Sequence, residues 1–192
     1  MAKPESIPWI TKFLRRNPGH VRTSLGEPLC IWWLGRVLSQ TKPVWKATRG
    51  PLKIDKLEVD AASALASQKQ FAVAEVKVSK LQSKLKEALS QVVRAARFFM
   101  EPGKVERAGF TWVKGPCTPS EVAVATSYNL GGDKEALKRE LKRLLEEDGL
   151  PREATSVYDI GNIFNALKGW QSQAKGRYLE LFETLNKILE AT

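Results

Sequence analysis

The sequence predicts an all-α fold: a helical bundle with a long central helix, preceded by an extended basic N-terminal arm that contains two short helices. Three observations predict it. Between Gly50-Pro51 and Pro102-Gly103 the chain has neither proline nor glycine, a run too long for one strand and bracketed by breakers. Apolar residues recur three or four apart in the second half of that run and again in the last third of the chain, the spacing of a single helix face. Charge is also divided unevenly: residues 1–56 hold 11 Lys or Arg and three acidic residues, while residues 57–192 hold 20 and 18. A strongly basic arm thus precedes a nearly neutral body, and the domains read as 1–56 and 57–192.

In the arm, Ser6 ahead of Pro8 starts a short amphipathic helix that ends at Asn17-Pro18-Gly19. A second starts at Glu27-Pro28 and runs through Trp32 and Trp33 to Gln40, and Pro43 stops it, because proline lacks the donor that a helix interior needs. From Thr41 to Ile54 no period appears, as in extended chain that follows a surface. In the body, Asp55 and Glu58 have capping-box spacing, and Leu81, Leu85, Ala88, Val92, Ala95 and Phe99 share a face. This predicts one helix of about 45 residues and about 65 Å. Phe71 to Val78 alternates with period two and carries the alternative of a strand or kink.

Residues 103–118 read as a connecting loop with room for a short hairpin. Thr118-Pro119-Ser120-Glu121 reads as the start of a helix reaching Tyr128. Asp133 opens another, with Leu137, Leu141, Leu144 and Leu145 as its stripe and Gly149 beyond its end. A last helix is expected from Ser156 to about Glu190. Within it Gly169 and Gly176, seven apart, would each cost about 1 kcal/mol relative to Ala. They mark either a close subunit contact or kinks.

Composition excludes several classes. No apolar run approaches the roughly 18 residues of a membrane span, and residues 1–10 lack the apolar core of a secretory signal, so an intracellular protein is expected. Cys30 and Cys117 have no nearby His or second Cys, which points to free thiols and to no metal site. One histidine, no Walker loop, no GxSxG and no HExxH leave carboxylates and lysines as the candidate reactive groups. Without a recognisable constellation of these, a non-enzymatic protein without cofactors is expected.

The arm holds four of the six tryptophans. Basic residues interleaved with aromatics and few carboxylates suit a polyanion, since phosphate contacts by Lys and Arg release condensed counterions. The candidate nucleic-acid contacts are Lys12, Arg15, Arg16, Arg22, Arg36, Lys42, Lys46, Arg49 and Lys53; Trp32, Trp33, Gly169 and Gly176 are candidates for subunit packing. Asn and Gln, which read adenine, are sparse in the arm, so sequence-independent binding is expected.

Two short helices at Pro8–Arg16 and Pro28–Gln40, a basic connector at Lys42–Lys53 and helices from Asp55 to Glu190 together resemble the major capsid proteins of filamentous archaeal viruses of the rudivirus, lipothrixvirus and tristromavirus type. The resemblance is one of architecture and covers most of the chain. It implies a nucleocapsid protein of the virion, assembled in the host cytoplasm, that wraps A-form double-stranded DNA and packs with itself or a paralogous capsid protein. Two other classes stay open: a small helical subunit of a ribonucleoprotein or CRISPR-type complex, and a helical scaffold that binds an acidic protein.

Overall fold

A computed structural model describes residues 46–47, 52–55, 57–65, 68–79 and 81–162, and beyond them residues 165, 169, 172, 179, 180, 183, 184 and 187. The fold is mixed α/β, not all-α. Its elements are β1 (Lys46–Ala47), β2 (Leu52–Ile54), β3 (Leu57–Val59), β4 (Ala61–Leu65), β5 (Gln70–Lys77), α1 (Gln82–Met100), α2 (Lys104–Arg107), β6 (Thr118–Thr126), α3 (Asp133–Glu147), a 3-10 turn at Arg152–Ala154 and β7 (Thr155–Tyr158). A five-stranded sheet has the order β1-β4-β5-β6-β7, and β2 pairs with β3 in a separate hairpin.

The expected 45-residue helix is therefore three strands followed by one helix of 19 residues. The turns between these strands use no glycine. Asp55, between β2 and β3, and Lys69, before β5, take left-handed φ values of 55° and 49°, so the absence of glycine does not mean an absence of turns. Asp55 and Glu58 form no capping box. Asp55 accepts from Arg107 Nη2 at 2.8 Å and from Lys104 Nζ at 3.4 Å, which ties the hairpin to α2, while Glu58 pairs with Lys53 across the hairpin at 3.1 Å. The chain on both sides of residue 56 thus belongs to one hairpin, whose Ile54, Leu57 and Val59 enter the core.

β5 is the central strand. It runs antiparallel to β4, with Ala64 opposite Phe71 and Ala62 opposite Val73, and parallel to β6. β6 in turn runs parallel to β7. Thr118-Pro119-Ser120-Glu121, read as a helix start, opens this strand instead. The register to β5 shifts there, so that Pro119 faces Phe71 and Glu121 faces Ala72; the irregular start accommodates the proline, and Ser120 Oγ donates to the Phe71 carbonyl at 3.1 Å.

Each parallel step crosses over through a helix, α1 after β5 and α3 after β6. Ala62, Ala64, Phe71, Val73, Val122, Val124 and Val157 share one core with the inner residues of both helices, which places α1 and α3 on the same face of the sheet. Leu85, Leu89, Phe99, Leu141 and Leu145 are its largest fully buried helical side chains. Phe99 meets Phe71 with ring centroids 5.5 Å apart. Leu81, expected in the apolar stripe, precedes the helix and is 63% exposed. Ala61, Ser63, Leu65, Ala72, Ala74, Val76, Ala123 and Ala125 alternate onto the other face and are buried as well.

Two sequence readings near the end of the chain are realised in part. α3 has the expected Leu137, Leu141 and Leu145 stripe, and Gly149 closes it with φ of 67°, Leu150 N–H donating back to Leu145 at 2.8 Å. The last helix starts at residue 160, not at Ser156, because Thr155–Tyr158 form β7. Asp159 and Asn162 cap it reciprocally: Asn162 N–H donates to Asp159 Oδ1 at 3.4 Å, and Asp159 N–H donates to Asn162 Oδ1 at 3.1 Å.

Replacement of Phe99 by Ala is expected to cost about 3–5 kcal/mol, because it opens a cavity between α1 and β5. Urea denaturation followed by circular dichroism measures this; a loss under 1 kcal/mol would place Phe99 outside the core.

Candidate site at the carboxyl end of the sheet

The described residues include few of the positions singled out in the arm. Lys12, Arg15, Arg16, Arg22, Arg36, Lys42, Arg49, Trp32, Trp33 and Gly176 lie outside them. Lys46 belongs to the edge strand β1, and Lys53 is exposed beside Glu58. Gly169 is helical and exposed, and nothing lies within 4 Å of the Cβ it would carry as another residue.

What the fold does gather is a set of charged residues that sequence reading left scattered. β4 and β5 are antiparallel with Ala61 opposite Ala74, so one step further Asp60 comes opposite Glu75. Within β5, Glu75 continues the alternation of Phe71 and Val73 onto the α1 face, and Lys77 follows two places along. Asp60 is 7% exposed and Glu75 8%. Asp60 Oδ2 accepts the Val76 N–H at 2.7 Å, which fixes this carboxylate against the strand that carries Glu75. Lys77 Nζ lies 3.2 Å from Glu75 Oε1.

Each group has a structural reason for its place. β5 is held along both edges by β4 and β6, so side chains near its end cannot shift register without breaking two ladders. The site lies at the carboxyl ends of the parallel strands β5 and β6, the position where open α/β sheets take their ligands. Beside it Thr126, opposite Lys77 on β6, donates its hydroxyl to the Ser79 carbonyl at 3.0 Å and accepts from Tyr128 N–H at 3.3 Å. This pins the chain where it leaves β5. At the end of β7, Asp159 Oδ1 accepts from Lys134 Nζ at 3.2 Å and Oδ2 from Leu130 N–H at 3.5 Å. Asp159 is thereby occupied in joining the start of α3 to the last helix.

Burial of two neighbouring carboxylates is unfavourable unless something compensates, since desolvation and mutual repulsion both act against their charged forms. Lys77 compensates in part, and its side chain is the more exposed of the pair at 26% against 10% for Glu75. Two hard carboxylate donors suit Mg2+ or Mn2+, which often take one or two protein carboxylates and complete their shell with water and phosphate oxygens. No cluster of three or more His, Cys, Asp or Glu able to hold a metal occurs among the described residues. The sequence signal for them is Glu75-Val76-Lys77 at the end of an otherwise apolar strand, with Asp60 just after Leu57-Glu58-Val59.

The opposite edge of the sheet carries a half-buried polar pair, in which the Tyr158 hydroxyl donates to Glu121. Burial, followed by the nearby Glu121 charge, raises the Tyr158 phenol above its ordinary value. A folded-state value above the unfolded one gives stability that is full below about pH 10, the unfolded tyrosine value, and declines as pH rises further. Denaturation of the wild type is therefore expected to show stability falling above that pH, and Tyr158→Phe to flatten the decline; equal slopes would exclude Tyr158 as its source.

No family model matches the chain, and neither the curated proteins nor the solved structures give a match.

Proposed function

We propose that this protein is a divalent-cation-dependent hydrolase of nucleic-acid phosphodiesters, with Asp60, Glu75 and Lys77 as its reactive groups and the basic N-terminal segment as its hold on the substrate. The observation that carries this reading is a pair of buried carboxylates, Asp60 just ahead of β4 and Glu75 on the neighbouring β5, with a lysine two residues along from Glu75. Asp60 and Glu75 would hold the cation. A divalent cation held by these two residues would supply charge neutralisation of the phosphate and a more acidic water. Asp60 is fixed by the Val76 N–H, which its Oδ2 accepts at 2.7 Å. Lys77, whose ammonium lies 3.2 Å from Glu75, would offset the charge that grows on a non-bridging phosphate oxygen. The water's hydroxyl adds to phosphorus as the bridging P–O bond breaks, and the water's other proton goes to the leaving oxygen, so that one phosphodiester and one water give a phosphomonoester and an alcohol.

The substrate class follows from charge. Residues 1–56 carry 11 basic and three acidic side chains, which favours a long polyanion over a small phosphate ester. This reading departs from the expected non-enzymatic, cofactor-free protein because the sheet brings together carboxylates that are 15 positions apart in sequence. No helix among the described residues is long and apolar enough to cross a membrane.

The uneven charge also favours a second reading, a sequence-independent nucleic-acid coat. The resemblance to filamentous-virus capsid proteins rested partly on helices from Asp55 to Glu190, and much of that span is sheet. Its remaining support is the basic arm.

The full chain is to be incubated with single- and double-stranded DNA and RNA, with and without Mg2+ or Mn2+. Cleavage that requires the cation is expected, and Glu75→Gln or Asp60→Asn should slow it at least about 100-fold while nucleic acid still binds. Regular filaments without cleavage would decide for the coat; cleavage indifferent to these substitutions would overturn the site.

Binding itself should be electrostatic. With about six phosphate contacts, log K is expected to fall against log salt with a slope near −5 on a B-form duplex. A flat salt dependence would remove the basic segment from substrate binding.

A further inference from the structure

The sheet is buried on both faces, and α1 and α3 account for one of them. They share a core with Ala62, Phe71, Val73 and Val124, and Ile54, Leu57, Val105, Phe110 and Ala154 join the same core. On the other face Ser63, Ala72, Ala74, Ala123 and Ala125 are each 0% exposed, although side chains this small cannot hide one another. Every described element up to β7 has its place in the sheet or on the first face, so the second is covered by another part of the chain. From Ile160 onward every described residue is helical. Asn165, Gly169, Ser172, Leu179, Glu180 and Lys187 are exposed, with Glu183 half-buried among them, and at about 100° per residue they fall in one stripe about 100° wide. Thr184, outside that stripe, is 4% exposed; its hydroxyl donates to the Glu180 carbonyl at 2.9 Å, which lets its methyl pack against apolar surface. Opposite the exposed stripe the sequence sets Ile163, Leu167, Trp170, Leu181, Leu185 and Ile188, and a helix in a protein gains its stability by burying such a stripe.

We propose that the alanine-lined face is the docking surface of the last helix, from Ile160 through Lys187, and that this helix completes a body with helices on both sides of the sheet. The proposal is independent of the hydrolase reading. Largely parallel sheets are covered by helices on both faces. The helix starts where it can reach this one: Ile160 follows β7 closely, and the reciprocal Asp159–Asn162 cap, with Lys134 Nζ donating to both side chains, fixes how the chain leaves the sheet. At 1.5 Å per residue Ile160 to Lys187 reach about 40 Å, and four strand spacings amount to about 20 Å, so one helix can cross the whole sheet. Alanine and serine on the strands leave depth for large side chains on the helix. Ser63 Oγ is buried with no hydrogen-bond partner among the described residues, which suits an apolar cover better than the basic N-terminal segment.

The test is nuclear magnetic resonance of the full 192-residue chain with labelled Ala, Ile, Leu and Thr methyl groups, which needs no substitution and so no variant that fails to fold. Nuclear Overhauser contacts are expected from the methyls of Ala72, Ala74, Ala123 and Ala125 to those of Thr184 and of Ile and Leu residues beyond position 160. Contacts from these alanines to Ile7, Ile10, Leu14 or Leu29 in their place would assign the cover to the N-terminal segment. Contacts that appear only between differently labelled chains in a mixed sample would assign it to a second copy. Either result overturns the proposal, as does the absence of any contact from these alanines to residues past 160.

Discussion

The direction of one strand pairing governs the candidate site. β4 runs antiparallel to β5, so the residue that enters β4 lies beside the residues that leave β5. Were this pair parallel, Asp60 would stand at the far end of the sheet, roughly 15–20 Å away along a strand, and no carboxylate pair would form. β5 to β6 and β6 to β7 are parallel and need helical crossovers. Those crossovers supply the helical layer that shares a core with Ala62, Phe71, Val73 and Val122. The antiparallel step brings Asp60 level with the end of β5, and the parallel steps supply the helical layer.

This arrangement sets local stability against function. A central strand covered on both faces is the most restrained part of an α/β sheet, and charge there is costly. The cost is limited by placing the charges at the strand's last positions, where Lys77 reaches partial exposure, and by giving Asp60 a backbone N–H. The fold tolerates unfavourable groups at the site because the rest of the layer, from Phe71 and Val73 to Leu85, Leu89 and Phe99, is apolar and closely packed.

Helices α1 and α3 were legible because their outer faces are polar and their inner faces recur at helical spacing, and α3 also carries its glycine stop. The strands were hidden by composition. Ala61-Ala62-Ser63-Ala64-Leu65 and the alanines of β5 and β6 favour helix intrinsically, yet here small side chains line a sheet that is covered on both faces, and packing overrides propensity. The turns were hidden too, since Asp55 and Lys69 adopt conformations usually left to glycine. Asp60 and Glu75 became a pair only through register, which composition does not reveal. The alternation of Phe71 to Val78 was a true strand signal, and it also contained half of the site.

β1 carries a further implication. Lys46 and Ala47 pair with Ala64 and Ser63, so the basic segment is fastened to the sheet at the strand next to β5. Two strand spacings, about 10 Å, separate β1 from β5. A polyanion caught by this segment would meet the site as an intramolecular neighbour, and its local concentration there would be set by tether length and not by the bulk. Weak contact at the carboxylates would then suffice for repeated encounters along one strand of nucleic acid, as the anchored segment holds the polymer while the site samples successive phosphates.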